Sequence, residues 1–228
     1  MSVFELGRTL GAGYRPFVIA ALDAAKHARV EHGLAAIDAA ADGGFDAVKM
    51  RALPQRFCRQ LFDHAERRGM ALIPTVADTI SIERLDWFGS PAFEIFFDWA
   101  DLELVCCAAR TGKPLLLSVA NASALQIGDA VELALDEGAG GVALIQRVND
   151  ASASLSCLER LRGHDAVFGV SERWIDPESM RNAVLEGSNV IEARVGHRPT
   201  VAELATIARR CEASWALMTG AADYSAMN

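Results

Sequence analysis

Short apolar runs alternate along nearly the whole chain with stretches in which apolar residues recur every three or four positions. Apolar runs bounded by Gly, Pro or Asp read as buried strands, and the helical spacing reads as amphipathic helices that cover them. Strands are expected at 16–22, 45–50, 71–74, 92–97, 114–118, 141–145, 166–170 and 189–194. Val30, Leu34, Ile37 and Ala41 share one helical face after the first strand, and Gly43-Gly44 stops that helix. Pro54 opens the next, with Phe57, Leu61 and Ala65 on one side and Gly69 at its end. Further helices are expected near 81–88 and 101–110, around Ile127, Val131 and Leu135 up to Gly138, and around Leu155, Leu158 and Leu161. Asp176-Pro177 supplies an N-cap followed by proline at the first helical position. Thr200-Val201-Ala202-Glu203 is a capping box that opens the last helix. The tail after Trp215 is expected to fray or to pack beneath the domain.

Eight strand–helix units predict an α/β protein, a (β/α)8 TIM barrel with parallel strands. A doubly wound sheet is the alternative, but it seldom keeps eight uninterrupted repeats. No linker or low-complexity segment marks a second domain, so 1–228 is expected to be a single domain with its core at about 16–211.

The formal net charge of -8 argues against a broad nucleic-acid surface while leaving room for a local cationic pocket. No apolar run is long enough to span a membrane, and the first residues lack the charged and apolar regions of a signal peptide. The five cysteines, Cys58, Cys106, Cys107, Cys157 and Cys211, are odd in number and lack metal-type spacing. They read as reduced thiols of a cytoplasmic protein, one of Cys106 and Cys107 facing the core. His27, His32, His64 and His164 form no metal-ligand pair. His197 follows the last strand and falls either at its mouth or on the surface. Gly11-Ala12-Gly13 precedes a strand rather than opening a helix, so it is not a phosphate loop.

In (β/α)8 barrels the reactive groups sit at the C-terminal ends of the strands, and side chains two apart on a strand share a face. A lysine that ends an apolar strand reaches into the mouth, so Lys49 sets the parity. The inward set is then Ala21, Asp23, Lys49, Arg51, Ile73, Thr75, Glu94, Phe96, Asp98, Leu116, Ser118, Ser171, Arg173, Glu192 and Arg194, with Arg147 and Asn149 near the sixth strand. That strand contributes Ile145 or Gln146. Five cations (Lys49, Arg51, Arg147, Arg173 and Arg194) around one concavity suggest a carboxylate or phosphate ligand, since the planar fork of Arg donates two parallel hydrogen bonds. The alternative is that they pair with Asp23, Glu94, Asp98, Glu172 and Glu192 to fill the barrel top.

Several segments carry a family resemblance. Pro16-Phe17-Val18-Ile19-Ala20 and then Gly44-Phe45-Asp46-Ala47-Val48-Lys49 resemble the opening of the sialic acid (N-acetylneuraminate) synthase family. Leu61-Phe62-Asp63-His64-Ala65 with Arg68-Gly69 fits its next helix, and Thr111-Gly112-Lys113-Pro114-Leu115-Leu116-Leu117-Ser118 is the most specific match. Gly169-Val170-Ser171-Glu172 and Val190-Ile191-Glu192 fit the last two strands. The resemblance implies condensation of phosphoenolpyruvate with N-acetylmannosamine or a related sugar, assisted by a divalent metal held by two histidines. It places Lys49 and Ser118 at the phosphoenolpyruvate anion, and Ser171 and Glu192 also match.

The departures are at the same positions. The family's acidic residue ending the first strand is Ala21, and its strand-four lysine is Glu94. The Ser-Gly-Asp turn that follows is Phe97-Asp98-Trp99. The strand-six histidine is Ile145 or Gln146, the strand-seven Asp-His pair is Glu172-Arg173, and a later histidine is Arg194. No segment matches the family's C-terminal antifreeze-like domain or much of its long loop after the second strand. The expectation is therefore a metal-independent, cofactor-free enzyme of carbon–carbon synthase or lyase type. Its substrate would be a small anionic metabolite, carboxylated or phosphorylated, like phosphoenolpyruvate or a sugar acid. Lys49, Glu172 and Glu192 are the candidate catalytic residues, Lys49 forming a Schiff base if neighbouring arginines lower its pKa. Arg51, Thr75, Ser118, Arg147, Asn149, Ser171, Arg173 and Arg194 are the candidate binding residues. No nucleic acid or membrane is expected as a partner, and homo-oligomerisation is left open. The alternative is a catalytically inactive barrel that binds an anionic metabolite or a protein partner.

Overall fold

The alternation in the sequence closes on itself. The computed structural model describes residues 2–23, 29–51, 53–97, 102–148, 158–172, 177–194 and 201–220. Its eight parallel strands are β3 (Phe17–Asp23), β4 (Ala47–Arg51), β5 (Ala71–Val76), β6 (Phe93–Phe97), β7 (Leu115–Val119), β8 (Val142–Val148), β9 (Val167–Glu172) and β10 (Val190–Arg194). Each pairs with the next, and β10 returns to β3, so the barrel has no free edge. Each strand lies within a few residues of the segment expected from its apolar run.

Strict alternation divides the strand side chains between two cores. Ile19, Ala47, Ile73, Leu116, Ile145 and Val190 fill the barrel interior. Their neighbours Val18, Val48, Leu72, Leu117, Leu144 and Ile191 face the surrounding helices. Among the described residues these are α1 (Val30–Asp42), α2 (Cys58–Arg67), α3 (Thr79–Trp87), α4 (Leu102–Ala109), α5 (Ala124–Asp136), α6 (Pro177–Leu185) and α7 (Val201–Thr219). Polar caps start two of them: the Asp78 side chain accepts from Ser81 N, and Ser123 with Gln126 forms a full capping box. Pro54 leads into a 3-10 turn, Gln55–Phe57, before α2 begins. The helix expected around Leu155 falls largely outside the described residues; within them stands a 3-10 turn, Glu159–Leu161. The cap residues Asp176 and Thr200 lie outside them too. α7 continues past Trp215 to Thr219. No helix among the described residues is long and apolar enough to cross a membrane.

The sequence pattern did not anticipate a hairpin that precedes the barrel. β1 (Val3–Leu6) pairs antiparallel with β2 (Arg8–Gly11), from Val3 opposite Gly11 to Leu6 opposite Arg8. Phe4, Leu6 and Leu10 join the interior cluster at the N-terminal ends of the strands and plug that end. Asp46 ties the plug down, accepting from Arg8 Nε at 2.8 Å, Arg15 Nη2 at 2.7 Å and Val18 N at 2.9 Å. Gly141 is required beneath it, because a Cβ there would stand 2.4 Å from the Phe4 ring, at a backbone φ of +152°. The closed bottom leaves the opposite end of the barrel as the open one.

Candidate active site at the barrel mouth

The inward side chains above the apolar interior are polar. The Lys49 ammonium lies 2.6 Å from Glu94 Oε1 and 2.6 Å from Glu192 Oε2. Lys49 keeps 8% of its side-chain surface, and the two carboxylates 0% and 1%. Glu94 also accepts from Ser118 Oγ at 2.6 Å and from Thr75 Oγ1 at 2.5 Å. Ser171 Oγ donates to Glu192 Oε1 at 2.6 Å. Glu192 Oε2 meets Lys49 as an ion pair, and no other described residue donates to that oxygen. Six strands thus supply one ammonium, two carboxylates and three hydroxyls to a single buried cluster.

Burial alone would lower the Lys49 pKa, but the charges of Glu192 and then Glu94 outweigh it and hold it above its ordinary value. The proton therefore stays on Lys49 through the neutral range. This corrects the Schiff-base expectation, which needs a free amine and neighbouring arginines to lower the pKa. The groups touching Lys49 are carboxylates.

Phe96 stands above this cluster as a platform for cations. Arg147 lies over its ring at 4.6 Å from the centroid, Arg51 at 5.1 Å and Lys49 at 5.8 Å. Arg51 is exposed and Arg147 half-buried. Parity placed Phe96 in the mouth, but its role as a shared platform depends on three strands meeting. Arg194 reaches the mouth and donates to the backbone carbonyls of Val148 and Ser171, joining the ends of β8 and β9.

One other assignment changes, and one open alternative is resolved. Glu172 pairs in register with Val148 and Ala193, whose side chains belong to the outer core, so it points away from the mouth. There it adds to the burial that pushes the Cys211 thiol of α7 up to about 12. Strand alternation cannot place both Ser171 and Glu172 inside, and it selects Ser171. On β8 the inward residue is Ile145, fully buried in the interior. Gln146 turns outward, where its Oε1 accepts from Arg160 Nε at 3.2 Å. Arg160 also donates to the carbonyls of Ala120 and Ala122, fixing the loop that leaves β7 at the mouth. Sequence spacing gave no sign of that role. Asp98, Asn149, Arg173 and His197 lie outside the described residues.

A separate concavity of about 660 Å³ lies at the other end of the barrel, lined by Tyr14, Phe168, Ser188 and Trp215 among others. It borders the N-terminal ends of β9 and β10, away from the polar cluster.

A closed parallel barrel with polar groups converging at the C-terminal strand ends has the layout of a (β/α)8 enzyme scaffold. The chain belongs to the NeuB family, whose model matches residues 25–198. It is 24% identical over 234 residues to the spore coat polysaccharide biosynthesis protein SpsE of Bacillus subtilis (strain 168), covering 84% of this chain and 63% of that protein. The chain thus spans less than two thirds of that relative's length. The crystal structure of SpsE superposes with a TM-score of 0.87 at 22% identity, over 96% of this chain and 74% of that one. The N-acetylneuraminic acid (sialic acid) synthetase of Leptospira borgpetersenii serovar Hardjo-bovis, solved with citrate, gives 0.83 at 20% identity, over 95% and 91%. A truncated 3-deoxy-D-arabino-heptulosonate 7-phosphate synthase from Thermotoga maritima gives 0.74 at 16% identity, over 98% and 92%. At these identities the superpositions establish the shared barrel.

The metal implied by the family resemblance does not fit the described residues. The inward position of β8 carries the branched apolar Ile145, and Gln146 is turned toward Arg160. Among the described residues no group of three or more His, Cys, Asp or Glu side chains could hold a metal ion.

Proposed function

We propose that the mouth is an active site for a small carboxylated or phosphorylated compound of the phosphoenolpyruvate or sugar-acid type. The reaction would be of carbon–carbon synthase or lyase class, run without a histidine-held metal. The observation that carries this reading is the buried Lys49 cluster at the catalytic end of the barrel, beneath a rim of Arg51 and Arg147 on Phe96. The names of the similar proteins, a polysaccharide biosynthesis protein and two synthases, support the class, and the citrate in one of them supports an anion.

Arg51 and Arg147 hold the anion with their planar forks, with Arg173 and Arg194 assigned to the same group by strand parity and Asn149 by its place in the loop after the sixth strand. Lys49 is a fixed cation that stabilises negative charge developing on the reacting carbon or oxygen. Glu192, oriented by Ser171, is the group placed to take up or return a proton. Thr75 and Ser118 orient Glu94.

Calorimetric titration with phosphate, sulfate and phosphoenolpyruvate tests this. One charge-assisted hydrogen bond contributes about 1.5–3 kcal/mol, so Arg147→Ala should weaken binding by about tenfold or more. If no anion binds at millimolar concentration, or the variant binds as well as wild type, the rim cations are structural. A second reading has its own support: Glu94 and Glu192 already neutralise Lys49, as in a barrel that binds a metabolite without turning it over. That reading requires phosphoenolpyruvate to bind while no phosphate is released from it in the presence of aldoses and N-acyl hexosamines.

A further inference from the structure

The Glu94 carboxylate receives the contacts a bound anion would receive. Lys49 Nζ and Ser118 Oγ both lie 2.6 Å from its Oε1, and Thr75 Oγ1 lies 2.5 Å from its Oε2. These donors come from β4, β7 and β5, and the carboxylate on which they converge is fully buried. An ammonium and two hydroxyls aimed at two oxygens form a carboxylate-binding subsite. We infer that Glu94 fills the deepest anion subsite of the mouth as a built-in carboxylate, and that it thereby selects ligands by where their charge lies. The inference rests on the reading of the mouth as a binding site.

With Glu94 in place, the floor holds one ammonium and two carboxylates. A second anion entering it would meet net negative charge in a desolvated space. The ligand's anionic group therefore stops at the rim, where Arg51 and Arg147 lie over Phe96. What can go deeper is a hydrogen-bond donor. Glu192 Oε2, buried and held among the described residues only by the Lys49 ammonium at 2.6 Å, is the acceptor for it. The ligand class is a hydroxy acid with its carboxylate at one end and hydroxyls at the other. A compound whose anionic groups are far enough apart for one to reach the floor is rejected, whereas phosphoenolpyruvate, whose phosphate and carboxylate sit on one carbon, keeps both at the rim.

Calorimetry on the full chain tests this with acetate, gluconate and adipate as probes. Wild type should bind gluconate more tightly than adipate, and Glu94→Gln should narrow that gap. Glu94→Ala opens the subsite, and acetate affinity should rise by about tenfold or more over wild type, the factor of one charge-assisted hydrogen bond. The gain should persist in Glu94→Ala/Arg147→Ala, because it arises at the floor. The inference is overturned if adipate binds wild type as tightly as gluconate, if Glu94→Ala shows no gain, or if the gain disappears in the double variant. If Glu94→Ala does not fold in chloride, folding in acetate of equal ionic strength supports the inference. Failure in both, with Glu94→Ser also gaining no acetate affinity, overturns it. A wild-type anion site insensitive to Arg147→Ala defeats the proposed function instead, so the two failures are separable.

Discussion

Lys49→Met is the sharpest perturbation of the mouth. It removes the ammonium that lies 2.6 Å from both Glu94 and Glu192 and leaves two buried carboxylates with their shared counter-charge gone. Breaking a buried ion pair by deleting one partner costs about 3–5 kcal/mol, because the remaining charge is neither solvated nor matched. For a domain of this size each kcal/mol shifts the melting temperature by about 2–4 °C, so the loss should fall in the range of about 6–20 °C. The pH dependence provides a second check. In wild type the Lys49 pKa is raised, so its contribution is fully present below the unfolded value near 10.4 and is lost only as pH rises through the folded one. Lys49 therefore gives wild type no slope across neutral pH. In the variant the carboxylate pair is relieved by taking up a proton, so its folded pKa lies above the unfolded value of about 4. Stability should then rise as pH falls from 7 to 5. Urea unfolding followed by circular dichroism at both pH values measures this. A loss under about 1 kcal/mol, or a variant destabilised further by mild acid, would refute the coupling of Lys49 to both carboxylates.

Two further outcomes probe the rest of the fold. Asp46→Asn weakens the contacts to Arg8, Arg15 and Val18 N that hold the N-terminal plug. The urea midpoint should fall by the equivalent of about 1.5–3 kcal/mol, while anion binding at the distant mouth stays unchanged. Cys211, pushed up to about 12 by burial and Glu172, ionises near 8.5 when the chain unfolds. Its folded pKa is the raised one, so stability is retained below about pH 8.5 and declines by about 1.4 kcal/mol per unit above it. Cys211→Ala should lessen that alkaline slope, and thiol labelling of the native protein should modify Cys106 before Cys211.

The alternation of apolar runs and helical periods determined eight strand–helix units, and the two-residue period anchored on Lys49 pointed Thr75, Glu94, Ser118, Ser171 and Glu192 to the same face, where they meet. Both are local properties, because strand and helix geometry repeat within a few residues. The partners of Lys49 were a different matter. Glu94 was legible as an inward residue, yet the sequence left open whether the mouth cations bind a ligand or pair internally. Only barrel closure, which brings Lys49 against a residue 45 positions away, decided that Lys49 is paired. Glu172 was named a candidate catalytic residue even though the two-residue period had already put its neighbour Ser171, and not Glu172, in the inward set. Registration against Val148 and Ala193 agrees with that parity and turns Glu172 outward. The plugging hairpin was missed because four-residue strands are too short to show a period; their identity comes from Phe4, Leu6 and Leu10 closing on the interior and from Arg8 meeting Asp46. Phe96 likewise became a platform for Arg51 and Arg147 only through the convergence of three strands, since attraction between a cation and a ring depends on their separation in space and not along the chain.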